Sequence, residues 1–252
     1  MAEDIPAAYC FFQDIAPRPP LDAVFDRDYL LYAAKGAMRL TVGPQSWLLP
    51  PSFAAWMPAN TRFRVEIAKP VTSCSVLTRP SFCTNMPPEP AVFQMSVLAR
   101  HMIRHCRDWG KGSPQPPEAE GFFLSLLNVC AVLVSRSVDV ARPTATDPGL
   151  ARAITISEAR LNERLTAADI AQAANMSERT MQRRFADHLG MTWSEVLTRQ
   201  RMIRAIELLS DDTLSVIETA GESGFASLSA FNRAFRVFAR TTPSAFRRNL
   251  RK

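Results

Sequence analysis

Between residues 29 and 78 the apolar positions come in short runs separated by turn residues. YLLYAA and MRLTV flank Lys35-Gly36, and Gly43-Pro44 ends the second run. WLL stops at Pro50-Pro51, FAAWM stops at Pro58-Ala59-Asn60, and RFRVEI and VTSCSVL follow. Strands of about five residues with a turn signal every eight to twelve or so predict an antiparallel sandwich or small barrel. The prolines fall where strands should end, since proline cannot donate into a central ladder. After Pro87-Pro88-Glu89-Pro90 the period changes, and Val92, Met95, Leu98, Met102 and Ile103 fall on one helical stripe. A second helix is predicted over 122–140, behind a proline-rich loop at 110–117. Its most apolar run, FFLSLLNVCAVLV, is too short to span a bilayer and contains Ser125 and Asn128, so it reads as a buried helix.

The polar, breaker-rich stretch ARPTATDPG predicts a domain boundary. The chain then divides into a barrel at 1–90, a helical pair at 91–140 that packs or dimerises, a linker at 141–149 and an all-helical domain at 150–252. That last domain carries a weak internal repeat. Ser177, Met181, Arg183, Phe185, Thr192 and Ser194 return 50 residues later as Ser227, Phe231, Arg233, Phe235, Thr242 and Ser244. Upstream the offset slips to 49, which pairs Ala171 with Ala220 and the turn residues Asn175 with Gly224. Two copies indicate a duplicated supersecondary unit.

Each copy has the pattern of a helix-turn-helix. Thr166 caps a short helix that ends at Asn175, and Ser177 caps a second helix over 178–189, closed by Gly190. Met181 and Phe185 form its inner stripe, which leaves Arg179, Gln182 and Arg183 pointing elsewhere. In the second copy Gly224 turns, Ser227 caps and Phe231 and Phe235 form the stripe, leaving Ser229, Asn232 and Arg233 outward. Arg, Gln, Asn and Ser are side chains that hydrogen-bond base edges in a major groove. Between the copies, Thr192 and Glu195 make a capping-box pattern that opens a long helix reaching Leu209.

Charge strengthens this picture. Residues 150–252 hold 16 Lys and Arg against 11 Asp and Glu, so nearly all of the net charge of +6 lies there. A basic half joined to a near-neutral half suggests a polyanion-binding module attached to something else. The five cysteines include no CxxC pair, and the acidic start MAEDIPAAYC is unlike a signal peptide, so the expectation is a reduced, cytoplasmic protein.

From Thr166 to Arg248 the chain resembles the AraC/XylS family of bacterial transcription regulators. The matching residues are Ile170-Ala171, Ser177, Arg183, Phe185, Gly190-x-Thr192 and Arg201-x-x-x-Ala205, then Gly224-Phe225, Phe231-x-Arg233-x-Phe235, Thr242-Pro243 and Arg247. The resemblance implies two helix-turn-helix units joined by a long helix, with double-stranded DNA as partner. It also implies RNA polymerase as a further partner if the protein activates. Three positions depart from the family pattern: Trp193 stands where Pro is usual, Thr219 where an apolar residue is usual, and Arg240 where Gly is usual. The N-terminal part is similar, more loosely, to the cupin-type sensor barrels that many of these regulators carry. With no His before His101, the metal-ligand cluster of cupin enzymes cannot be assembled there.

The expected architecture is therefore multidomain α and β, with a cupin-like barrel and helical pair ahead of an all-α double helix-turn-helix domain. Arg179, Gln182 and Arg183 are expected to read one half-site and Ser229, Asn232 and Arg233 the other. Arg201 and Arg247 either contact phosphates or brace helices. Tyr32, Arg39, Trp47, Trp56 and Arg62 are the candidates for an effector pocket, against the alternative that half of them face core or solvent. His101 and His105, spaced like metal ligands, read instead as a solvated or interface face, and His188 as a helix-end or phosphate contact. No catalytic constellation, cofactor or metal is expected. The competing readings are a cupin enzyme with a helical appendage and a non-specific nucleoid-binding protein. Small-molecule effector binding and homodimerisation are further expectations, and membrane association is not expected.

Overall fold

The computed structural model describes residues 5–43, 45–137, 140–209 and 213–251, with 249–251 described by backbone alone. The described residues divide into two compact units, one of 5–43 and 47–137 and the other of 45–46 and 140–249.

The first unit is built from strands β1 (Ala8–Ile15), β2 (Arg18–Ala23), β3 (Asp28–Lys35), β4 (Met38–Val42), β5 (Gln45–Leu49), β6 (Phe53–Met57), β7 (Phe63–Ile67), β8 (Val71–Thr78) and β9 (Ala91–Gln94). Helices α1 (Val97–His105) and α2 (Ala119–Ser135) complete it. One sheet has the order β1-β8-β3-β6-β9, and the other places β5, β4, β7 and β2 side by side. Alternation along each strand separates two faces of the first sheet. Cys10, Leu30, Tyr32, Trp56, Cys74 and Val76 pack on Ala99, Ile103, Phe123 and Leu126 of the helical pair. Their neighbours Tyr9, Phe11, Tyr29, Leu31 and Leu77 line a cavity shared with Met38, Phe63 and Val65 of the second sheet.

The strand runs expected from residue 29 onward are present, and β1 and β2 precede them. β1 pairs antiparallel with β8 along its whole length, from Ala8↔Thr78 to Ile15↔Val71. The helical stripe expected from Val92 begins later. Residues 91–94 pair with β6 instead, because the edge of that strand offers ladder partners that a helix start cannot match. The helix begins where Ser96 Oγ accepts from Ala99 N at 3.1 Å. Similarly α2 ends at Ser135, short of the expected 140.

The second unit holds α3 (Pro148–Ala159), α4 (Ala167–Ala173), α5 (Glu178–Leu189), α6 (Trp193–Leu209), α7 (Val216–Glu222), α8 (Leu228–Ala239) and α9 (Pro243–Arg251). Residues 140–149, expected as a linker, are bound to this unit. The buried Arg142 pairs with Glu158 and Glu207, and Ala141 O accepts from Arg199 Nε at 3.0 Å. Asp147 caps α3 by accepting from Leu150 N at 2.7 Å, and it also accepts from Arg184 on α5 at 2.8 Å. The Leu150 amide, then Arg184, hold the Asp147 carboxyl below the usual aspartate range. A stretch with the composition of a linker thus becomes the first packed segment of the helical unit.

Candidate nucleic-acid interface

Local signals position both helix pairs. Thr166 and Asp169 form a reciprocal capping box at α4, and Ser215 and Glu218 form its counterpart at α7. Thr192 and Glu195 do the same at α6, with bonds of 3.3 and 2.7 Å. Each box satisfies amides that a helix start otherwise leaves orphaned. The Thr192 amide lowers the Glu195 pKa, and the Ser215 hydroxyl lowers that of Glu218. At the second helices, Ser177 Oγ accepts from Thr180 N and Ser227 Oγ from Ala230 N, each at 3.2 Å.

Met181 and Phe185 of α5 are fully buried against Ile170, Ala171 and Ala174. Phe231 and Phe235 of α8 are equally buried, in a chain of aromatic contacts from Phe225 to Phe246 with ring centroids 5.5–5.7 Å apart. Burying these stripes fixes what faces out. Arg179, Arg183, Ser229 and Arg233 are exposed, and Gln182 and Asn232 are half-buried. None of these six side chains carries a hydrogen bond or ion pair to another described residue. The same outward side of α8 presents Arg236 and Val237, the latter 80% exposed. These two stand four residues beyond Asn232 and Arg233, the spacing that keeps side chains on one helix face, and the sequence reading missed them. Arg184 lies in the same Arg-rich run but turns away to Asp147.

Two residues expected among the DNA contacts serve inside the unit. Arg201 donates through Nε to Leu161 O at 3.1 Å and through Nη2 to Glu163 O at 2.9 Å, and burial lowers its pKa. Arg247 is buried and donates to Thr219 Oγ1 at 3.3 Å. Both side chains brace the unit through these bonds. Thr219, where an apolar residue is usual, is fully buried and also donates to Ser215 O at 2.9 Å. The hydroxyl of this unusual Thr thus supplies an acceptor to the buried Arg247. Trp193, in place of the usual Pro, donates Nε1 to Ser157 Oγ at 3.0 Å and tethers α6 to α3.

Arg240 ends α8 at φ 53°, and Gly190 ends α5 at φ 63°. Both C-caps are left-handed, so the second unit keeps the geometry without the residue that adopts it freely. Arg240→Gly is therefore expected to raise the stability of the helical unit by about 1 kcal/mol, measured as a higher urea midpoint at unchanged slope.

The barrel encloses a cavity of about 370 Å³ whose lining includes none of Tyr32, Arg39, Trp47, Trp56 and Arg62. Tyr32 and Trp56 lie on the helix-facing side of the first sheet, where Tyr32 Oη donates to Pro51 O and Trp56 Nε1 to Pro87 O, each at 3.0 Å. Trp47 is buried in β5, Arg62 is exposed, and Arg39 sits half-buried opposite Glu66 in the β4–β7 register. Strand alternation turns Tyr29 and Leu31 into this cavity and Tyr32 away from it. His101 is exposed, and His105 packs on Trp109 and Phe122 with ring centroids 5.4 and 5.1 Å away. His188 is exposed in the last turn of α5. All five cysteines are free and buried, and burial pushes the Cys130 thiol up to about 12. Among the described residues no group of three or more His, Cys, Asp or Glu converges as for a metal ion, and no helix is long and apolar enough to cross a membrane.

A family described as a helix-turn-helix domain matches residues 170–249. PqrA, a probable transcription factor of Proteus vulgaris, is 33% identical over 88 residues, which cover 35% of this chain and 72% of PqrA. The regulatory protein PocR of Salmonella typhimurium is 30% identical over 108 residues, 43% of this chain, and the match spans 36% of PocR. A crystal structure of a regulator with an AraC-type DNA-binding domain, from Chromobacterium violaceum, is 30% identical. It covers 42% of this chain and 94% of its own, with a TM-score of 0.40.

Proposed function

The chain belongs to the AraC/XylS family of transcription regulators, and on that premise we propose that it binds a bipartite DNA site with α5 and α8 and changes that binding when an effector occupies its barrel. The observation that carries this is the pair of equivalent helices, 50 residues apart, each capped by Ser and buried on an aromatic or Met-Phe stripe. Arg179, Gln182 and Arg183 on the first, and Ser229, Asn232 and Arg233 on the second, have no hydrogen-bond or ion-pair partner among the described side chains. α6, 17 residues and hence about 25 Å long, spaces the two units within one chain. Dimers of single units achieve a comparable separation, about one helical turn of DNA, with two chains.

Arg179, Gln182 and Arg183 read one half-site in this proposal. Ser229, Asn232 and Arg233 read the other, with Arg236 and Val237 beside them. Double-stranded DNA is the partner, RNA polymerase a second one if the protein activates, and the compartment is the cytoplasm. Sites selected from random DNA supply the test. Arg183→Ala and Arg233→Ala are each expected to cost about 1–3 kcal/mol of binding and to relax preference at one base position, in opposite halves of the site. Binding by both variants with wild-type affinity and preference would dismiss the assigned faces. Equal affinity of the wild type for random and selected DNA across a salt series would favour non-specific binding instead.

A further inference from the structure

We infer that the two reading helices are built for chemically different half-sites: Leu228 and Val237 set α8 against the C5-methyl groups of thymines, and Glu178 and Asp187 set α5 against the amino groups of cytosines. This deepens the proposed reading of a bipartite site and rests on it, since it names the bases that the two faces take.

The repeat makes the comparison direct. At an offset of 50 residues Arg179 corresponds to Ser229, Gln182 to Asn232 and Arg183 to Arg233, all polar in both copies. At two further positions the character changes, and Glu178 and Asp187 of α5 become Leu228 and Val237 of α8. All four side chains are exposed, Leu228 by 39% and Val237 by 80%. Neither acid has a hydrogen bond or ion pair to another described residue. Both helices run for 12 residues from a Ser cap to a left-handed C-cap and bury the same stripe. The fold therefore does not require an apolar side chain at either place in α8, because the same geometry carries a carboxylate in α5. What separates the two faces is what they meet outside the unit.

Position and charge say what that is. Glu178 and Leu228 are the first residues after the Ser caps, and the first turn of a recognition helix is the part that meets base edges. Asp187 and Val237 come about two and a half turns later, so each pair borders its row of readers on opposite edges. In the major groove the thymine C5-methyl is the group that takes an apolar contact, and the cytosine N4 amino group is the donor that Glu and Asp accept from. A carboxylate turned toward DNA meets like charge in the phosphates unless it finds such a donor. α8 contains no acid, whereas α5 sets two exposed acids beside Arg179 and Arg183. The two faces thus differ in charge as well as in apolar surface.

Sites selected from random DNA by the full chain supply the probe, with the half-sites assigned by Arg183→Ala and Arg233→Ala. Thymine is expected in the α8 half and cytosine in the α5 half. Deoxyuridine, which lacks only the methyl group, then replaces each thymine of the α8 half in turn. At a contacted thymine the wild type is expected to lose about fourfold in affinity, the worth of one buried methylene. Leu228→Ala and Val237→Ala are each expected to lose a similar factor on the thymine site and nothing further when their own thymine becomes uracil. Reselection with Leu228→Glu is expected to exchange its thymine for cytosine, and with Glu178→Leu to do the reverse. Wild-type affinity undiminished by every uracil overturns the inference. So do equal losses by both Ala variants on thymine and uracil sites, the mark of a purely structural role, and reselected sites that keep both bases. If Arg183→Ala and Arg233→Ala relax their base positions while uracil is tolerated, the reading faces stand and only the base assignment falls. If those two variants bind like wild type, the faces fall and the assignment with them.

Discussion

Gly224→Ala is expected to destabilise the second helix-turn-helix unit by about 3–5 kcal/mol and to abolish binding to the bipartite site under conditions where the wild type binds. A Cβ at this position would lie 1.8 Å from Leu161 O and 2.7 Å from Arg201 Nε, far inside any allowed contact. The residue is also left-handed, at φ 80°, which adds about 1 kcal/mol for any L side chain. Relaxation is obstructed because Leu161 O is the acceptor of the Arg201 brace, so moving the carbonyl breaks that bond too. The matching substitution in the first unit, Asn175→Ala, carries the strain of φ 58° alone and should cost about 1 kcal/mol. Urea unfolding followed by far-ultraviolet circular dichroism, which weights the helical unit, compares the two. Equal effects would show that the Leu161 carbonyl yields and that the turn, rather than the contact, sets the requirement.

The contrast between those turns marks where sequence reasoning stops. Asn175 and Gly224 stand at equivalent positions, and the repeat identifies both as turns. The demand for glycine in only the second comes from a carbonyl 63 residues upstream, which no local pattern encodes. The outward faces of α5 and α8 were legible because Phe and Met at i, i+4 spacing determine the buried side and leave the remainder outside. Arg201 and Arg247 were not, because an Arg in an Arg-rich helix has the same local signature whether its fork meets a phosphate or a backbone carbonyl. The barrel shows a similar divide. Short runs and prolines gave strands, yet β1, with Gln13 and Asp14 in its second half, lacks the sustained apolar signal and escaped notice. The candidate pocket residues were grouped by type, whereas the face is set by strand parity: Tyr29 enters the barrel cavity and Tyr32, three positions on, does not.

Arg142→Ala is expected to lower the stability of the helical unit by about 3–5 kcal/mol, the range for breaking one side of a buried ion pair. Arg142 is buried, and it pairs with both Glu158 on α3 and Glu207 on α6, so one guanidinium joins three separate segments. Glu207 is itself only 8% exposed, and without Arg142 its described cationic neighbour is Arg204 at 3.6 Å. The loss is therefore chiefly that of an uncompensated buried carboxylate rather than of an attractive contact. This predicts an asymmetry that a simple contact count would not. Arg142→Met combined with Glu158→Gln and Glu207→Gln removes the guanidinium and both carboxylates it pairs with, and it should recover most of the stability lost in Arg142→Ala. Urea midpoints of the two variants decide the matter. If the triple variant is as unstable as Arg142→Ala, the cluster acts through its geometry, by fixing residues 140–149 on α3 and α6, and not through charge compensation.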